Sequence, residues 1–299
     1  MVQLSLTMMT TMTDMPENVK QLRTMLKSCR LCPRRCHVDR TNGELGACGI
    51  GASAVVSSAQ PHFGEESILV GSGGSGTIFF SGCNLECVFC QNCDISQSNQ
   101  GQTVTSDDIA ELAARLHQLG CENINFVTPT HIAHTVAETI VIMRRNGIDL
   151  PTVYNCGGYE SLEVLRLLQG LIDIYMPDFK YADADMGLKY SGVEDYPDIA
   201  TQALEEMYRQ AGPIQLDQNQ VAQKGVLVRH LVLPHAESNS QNTIDLVAQS
   251  APGCTINVMG QYRPCYRAGE FPQLNAYPSP HTIQNLRQYA AQRGLNTDC

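Results

Sequence analysis

Apolar positions along the chain alternate between two rhythms. Short apolar runs sit at Thr77–Ser81, Asn123–Val127, Pro151–Asn155, Leu171–Asp178, Gly225–Leu233 and Cys254–Met259, lengths that suit buried strands. Between them lie stretches with apolar residues three and four apart, the spacing of an amphipathic helix. The clearest has Ile109, Leu112, Ala113, Leu116 and Leu119 on one face, opens on the capping box variant Thr105-x-x-Asp108 and stops near Gly120. Further helices are predicted over Ile132–Arg145, Ser161–Leu168, Asp198–Gln210, Asn239–Ser250 and Pro280–Arg293. Six strand–helix units in a row force a parallel sheet, and their unbroken alternation favours an open (β/α)6 barrel over a doubly wound sheet.

The first part of the chain reads differently. Met1–Pro16 is rich in Met and Thr without any period and is expected to be a frayed start. Glu17–Ser28 predicts a helix with Val19, Leu22, Met25 and Leu26 on one face. Ala54–Val56 and Ser67–Val70 are expected as two short strands. Gly71–Gly76 contains Gly-x-Gly-x-x-Gly, but a dinucleotide fingerprint must follow a strand and open a helix, whereas this one opens a strand. It is expected to be a flexible approach to the cysteine loop that follows. The division is thus 1–16 disordered, 17–70 a cysteine-rich extension and 71–299 the barrel.

Composition narrows the class. The chain has 299 residues, 43% of them hydrophobic, enough for a large α/β core, and a formal net charge of −10. Acidic chains without basic runs lack the footprint for phosphate backbones, so no nucleic-acid partner is expected. With no long apolar run and no leader pattern, no membrane association is expected and a cytoplasmic location is.

The chemistry lies in the 13 cysteines, which favour metal binding in a reducing compartment over disulfides. Cys83, Cys87 and Cys90 form a Cys-x3-Cys-x2-Cys run directly behind an apolar strand. Three thiolates can hold three corners of a [4Fe-4S] cubane and leave one iron open. Cys87, Cys90 and Cys93 also read as the Cys-x2-Cys-x2-Cys of a ferredoxin-type electron carrier, although Asp94–Gln97 lacks its fourth Cys and Pro. Cys93 is expected not to be a ligand. A second group, Cys29, Cys32, Cys36 and Cys48, has the spacing of a closed site: a zinc knuckle, an auxiliary iron–sulfur cluster, or unligated thiols.

The Cys83–Cys90 loop behind the first strand, with the aromatic Phe89 before its third Cys, resembles the radical S-adenosylmethionine (SAM) enzymes. The resemblance spans roughly residues 22–295. Cys29-x-x-Cys-Pro-Arg-x-Cys36 followed by Gly43-Glu-Leu-Gly-x-Cys48 is similar to a branch of homologues of the pyruvate formate-lyase activating enzymes. The resemblance implies a partial (β/α)6 TIM barrel, a [4Fe-4S] cluster and SAM on its open iron. It further implies an oxidoreductase that takes an electron from a donor such as flavodoxin or ferredoxin, and a glycine in a partner protein as substrate.

Parallel barrels collect their chemistry at the C-terminal ends of the strands, and every such exit here is polar. Where the activating enzymes carry Gly-Gly-Glu for the SAM amino group, this chain has Thr128-Pro-Thr-His131; Asn125, the Thr128 hydroxyl or local carbonyls would substitute. By family position Asn155 is expected near the methionyl or ribose part of SAM and Arg229 near its carboxylate. Asp178-x-Lys180 matches the activating-enzyme pattern that orients SAM and substrate; the plainer reading is an exposed ion pair. Gln261 and Tyr262 are expected to contact the adenosine or the substrate, and His230 to be a satisfied core group.

Overall fold

The computed structural model describes residues 12–236 and 238–299. Its strands are β1 Ala54–His62, β2 Ser75–Phe80, β3 Gln102–Val104, β4 Asn123–Val127, β5 Thr152–Cys156, β6 Ile174–Pro177, β7 Gln215–Leu216, β8 Ala222–Leu231 and β9 Thr255–Met259. The helices are α1 Glu17–Thr24, α2 Ser67–Val70, α3 Cys93–Ser96, α4 Ser106–Gln118, α5 Ala133–Arg145, α6 Leu162–Leu167, α7 Ala184–Ser191, α8 Tyr196–Ala211, α9 Ser240–Ser250 and α10 Pro280–Gln292.

The strands β2, β4, β5, β6, β8 and β9 pair in parallel in that order, the six units read from the sequence. Among the described residues β9 does not pair with β2, so the barrel is open. Both faces of the central strands are covered: every residue of β4, β5 and β6 is buried. The Thr105 capping box forms as read, with Thr105 N–H donating to Asp108 at 2.8 Å and Asp108 N–H donating back at 3.2 Å.

Several expectations are corrected. Ser67–Val70 is not a strand but the single helical turn α2; its Ile68 and Leu69 pack under the barrel against Val153, Ile174, Met176, Ala222 and Leu227. Four apolar residues in a row look like a strand, but here they turn to plug a hole and find their partners in the tertiary fold. β1 is longer than read and runs antiparallel to β2 as far as His62, with Ser57 and Gln60 exposed to water. The Gly71–Gly76 segment lies at the start of β2, whereas the cysteines follow its end, roughly 20 Å away along a six-residue strand. It is no approach to the cluster loop; Gly73 is needed because a Cβ there would overlap the Gly120 carbonyl. Helix α7 was not read at all. It is capped by Asp183, whose side chain accepts from the Asp185 N–H at 2.9 Å.

Of the segment expected to fray, residues 1–11 lie outside the described residues; from there Met12–Asp14 form a 3-10 turn and Met15 is buried. Helix α1 is pinned to the barrel's outer helices by the Arg23–Glu138 ion pair at 2.8 Å and by Asn18, whose amide donates to the Leu167 carbonyl at 2.7 Å. It hands the chain to the Cys29–Cys48 segment, which packs against the β2 end of the barrel. No helix among the described residues is long and apolar enough to cross a membrane.

Candidate functional site

The chain leaves β2 through Ser81 and Gly82. Gly82 has φ 82°, and a Cβ there would press on Ile50 and on the Cys48 carbonyl, so only glycine fits this tight exit. The loop from Cys83 to Cys90 is then laced down by backbone hydrogen bonds: Glu86 and Val88 N–H donate to the carbonyls of Ser191 and Tyr190, and Val88 accepts from Arg267. Its three sulfurs are each offered a hydrogen bond or hydroxyl: Leu85 N–H donates to Cys83 Sγ at 3.4 Å, Ser191 Oγ lies 3.0 Å from Cys87 Sγ, and Ser96 Oγ lies 3.1 Å from Cys90 Sγ. Phe89 is buried edge-on to Tyr181 and Tyr262, which sets the turn between the second and third thiols. Burial raises the Cys83 thiol to about 12 and pushes Cys87 up as well, so both carry protons until a metal displaces them.

All three thiols line one cavity of about 270 Å³ at the C-terminal ends of the parallel strands. Its wall also carries Phe89, Thr128, Asn155, Asp178, Lys180, Arg229 and Gln261, so the structure brings together nearly every residue singled out from the sequence. The exceptions are informative. Asn125 is fully buried below the cavity floor, where its amide donates to Ser75 Oγ at 3.2 Å, so it is not a wall residue. Cys93 is not on the wall either; it opens helix α3. Tyr262 is buried away from the cavity and donates its hydroxyl hydrogen to the Leu274 carbonyl at 2.7 Å. His230 is a satisfied core group between the Phe179 carbonyl and Ser240 Oγ.

Asp178 is the hub of the wall. Lys180 Nζ lies 2.6 Å from one oxygen, and Arg229 Nη2 lies 2.9 Å from the other. Arg229 also donates to Asn155 Oδ1 at 2.7 Å and reaches Glu65 at 3.7 Å. With 16% and 21% of their side chains exposed, Lys180 and Asp178 are not the exposed pair of the plainer reading. Burial pushes the Asp178 carboxyl up, but the two cations outweigh it and hold it below its ordinary value. Thr128, at the exit of β4, has φ 62°, a conformation that strains a β-branched residue, and its N–H donates to the Asn155 carbonyl at 2.8 Å.

Two carboxylates went unread. Glu65 comes up from beneath the barrel; burial raises it to about 7, against the pull of Arg229 and with the push of Glu66. The only sequence signal was an acidic pair beside an apolar run. Glu160 is only 2% exposed, and burial raises it to about 8 although Thr130 and Tyr154 donate to it at 2.6 and 3.2 Å. A carboxyl raised from 4.5 in this way binds more protons folded than unfolded, so stability falls as pH rises from about 4.5 to about 8, by at most ~1.4 kcal/mol per pH unit. Glu160→Gln should remove that slope, measured as urea unfolding at several pH values across this window; a slope equal to that of the parent would show that Glu160 is ionised in the fold.

The second cysteine group is also assembled. Ala47 N–H donates to Cys36 Sγ at 3.4 Å, the Arg40 guanidinium points at Cys29 Sγ from 3.7 Å, and Cys29 N–H closes the segment on the Val38 carbonyl. Burial raises Cys32 to about 12 and also raises Cys48, and each of these two thiols feels the charge of its neighbours in the group. Among the described residues no three His, Cys, Asp or Glu side chains converge on a single ion. Thiols at the corners of a polynuclear cluster stand farther apart than the ligands of one zinc, whose bonds are about 2.3 Å.

The radical SAM superfamily signature matches residues 77–214, from β2 through α8. The chain is 32% identical over 288 residues to the uncharacterized protein MJ0674 of Methanocaldococcus jannaschii, covering 93% of this chain and 78% of that one. It is 25% identical over 295 residues to MJ0808 of the same organism, covering 89% and 78%. Streptococcus suis SuiB, solved bound to its precursor peptide SuiA and bound to S-adenosylmethionine, superposes with TM-scores of 0.49 and 0.45 at 12% identity. These matches cover 72% of this chain, which spans less than half the length of SuiB, 45% and 44% respectively. With the matched segment running from the first parallel strand through the cysteine loop, and with near full-length likeness to MJ0674, the chain belongs to the radical SAM superfamily, whose members combine a [4Fe-4S] cluster with SAM.

Proposed function

We propose that the protein is a radical SAM enzyme that abstracts hydrogen from a substrate at the barrel mouth, and that Cys83, Cys87 and Cys90 hold its [4Fe-4S] cluster. The observation that carries the reading is the shared cavity: three thiols and the Asp178–Lys180–Arg229 network face the same space. An electron carrier, the other reading of the cysteines, needs no such chamber beside its ligands. When bound, the cluster would supply the one-electron reduction of the SAM sulfonium from which radical chemistry starts. The chain's own residues do the rest. Arg229 and Lys180 offer positive charge to a carboxylate, Asp178 offers negative charge to an amino group, and Asn155 and the Thr128 turn fix the ends of strands β5 and β4 around the ligand. Phe89 forms a buried part of the wall, and Gln261 stands exposed at its rim.

The finer reading is an activating enzyme whose substrate is a glycine in a partner protein, fed electrons by a flavodoxin or ferredoxin. Support comes from the Asp178-x-Lys180 pair just beyond the end of β6, which resembles the pattern of those enzymes. Cys29, Cys32, Cys36 and Cys48 we assign to a second metal, zinc or an auxiliary iron–sulfur cluster, which anchors the N-terminal segment.

The test is reductive SAM cleavage. Protein purified without oxygen should be brown and, once reduced with dithionite, should release 5′-deoxyadenosine. Iron-loaded, reduced protein that leaves SAM intact would return the chain to the electron carriers.

A further inference from the structure

Arg40 is 1% exposed, and a guanidinium cannot shed its proton to escape burial. Its donors go to neutral groups: Nε and Nη2 to the Gly51 carbonyl at 3.0 and 2.6 Å, and Nη1 to the His131 carbonyl at 2.7 Å. Its remaining contact is Cys29 Sγ at 3.7 Å, and among the described residues no carboxylate pairs with it. The two buried histidines nearby bring no negative charge. Each donates through Nε2 to a carbonyl, His131 to Ser81 at 2.8 Å and His134 to Ala52 at 2.9 Å, and keeps an Nδ1 without a hydrogen-bond partner. A buried cation without an anion is strongly destabilising, and the groups nearest Arg40 that are able to become anions are thiols: Cys29 Sγ at 3.7 Å, and Cys48, which feels the Arg40 charge.

We infer that Cys29, Cys32, Cys36 and Cys48 form an anionic metal centre for which Arg40 is the resident counter-charge, and that its occupancy seats the Cys83–Cys90 loop. The inference rests on the assignment of a second metal to these cysteines. Metal binding would expel the four thiol protons to solvent, and a four-thiolate iron–sulfur cluster, which the spread of these thiols favours over a single ion, is negative. Arg40 neutralises part of that charge at the Cys29 corner.

From there the structure leads straight to the first site. The carbonyl that Arg40 holds belongs to His131, whose ring holds the Ser81 carbonyl immediately before the loop. The Cys48 carbonyl lies against Gly82, so near that a Cβ would come within 2.8 Å of it. On the far side Arg34, two residues from Cys32, donates from Nε to the Asn84 carbonyl at 2.9 Å. Stripping the metal leaves the Arg40 charge unbalanced behind the loop that carries the catalytic thiols.

The experiment removes the first site with a Cys83/Cys87/Cys90→Ala triple variant and then asks about the second. Metal analysis should still find zinc, or iron with sulfide. Stripping that metal with a chelator should lower the melting temperature and speed hydrogen exchange over residues 81–92. Adding Arg40→Met should weaken metal retention at least tenfold in chelator competition, and should make stripping cost less melting temperature than in the parent, because the cation is gone. Arg40→Lys, which keeps the charge but loses the fork onto the Gly51 and His131 carbonyls, should retain metal better than Arg40→Met while melting earlier than the parent, and serves if the Met variant does not fold. Equal stripping losses with and without the charge overturn the role of Arg40, and unchanged exchange over 81–92 overturns the seating. A triple variant without metal overturns the second-metal assignment itself, a result distinct from the other two.

Discussion

Replacing Cys83, Cys87 or Cys90 by Ala should each abolish SAM cleavage, to below about one-thousandth of the parent rate, or roughly 4 kcal/mol of lost barrier reduction. The reason is ligand count. Three thiols are the fewest that leave one iron of a cubane open while still holding it, so removing any one takes away a corner that no neighbouring donor on the cavity wall replaces. Cys93 is not on that wall, and Cys93→Ala should keep both iron and activity. Iron and sulfide content with 5′-deoxyadenosine release are the measurements. Loss of the cluster in Cys93→Ala would make all four cysteines ligands and revive the electron-carrier reading.

Asp178→Asn should be the costliest change on the wall for the fold, and Lys180→Ala the more selective one for turnover. The structure makes the two unequal, because Asp178 is shared between Lys180 at 2.6 Å and Arg229 at 2.9 Å. Removing its charge leaves Lys180 without its anion and Arg229 with only the longer Glu65 contact at 3.7 Å, a loss of about 3–5 kcal/mol, visible as a melting temperature lower by on the order of 10 °C. Removing Lys180 leaves Asp178 still paired to Arg229, so the fold should lose about 1.5–3 kcal/mol, the worth of one hydrogen bond to a charged group. Turnover should nevertheless fall by ~100-fold or more, the scale of misplacing a reactant by about 1 Å. Melting curves beside SAM-cleavage rates separate the two. A Lys180→Ala protein that cleaves SAM normally and couples it fully to substrate would move the site elsewhere on the barrel mouth.

The six parallel units were legible because a strand buried on both faces must be apolar throughout, and a helix lying on such a sheet must show its period; β4 even begins and ends where the pattern put it. The peripheral antiparallel strands were not. β1 beyond Val56 is Ser-Ser-Ala-Gln-Pro-His, with Ser57 and Gln60 exposed to water, so nothing in its polarity announces a strand. Ser67–Val70 failed for the opposite reason: an apolar tetrapeptide carries no period of its own, and the space beneath β5, β6 and β8 chose its shape.

The same division runs through the site. Thiol spacing alone gathered Cys83, Cys87, Cys90 and Cys93 as candidates, because residues close in sequence must be close in space; the cavity takes the first three and leaves Cys93 off its wall. Spacing also determined that Asp178 and Lys180 share a side, since an extended chain repeats every two residues. Only the tertiary structure decided which charges meet. Arg229, 51 positions from Asp178, completes the hub; Asn125 falls below the floor; and Glu65 arrives from the barrel's underside. It likewise decided that Arg40 is enclosed beside thiols without a carboxylate, a matter of electrostatics between segments far apart in the chain, on which local residue patterns carry no information.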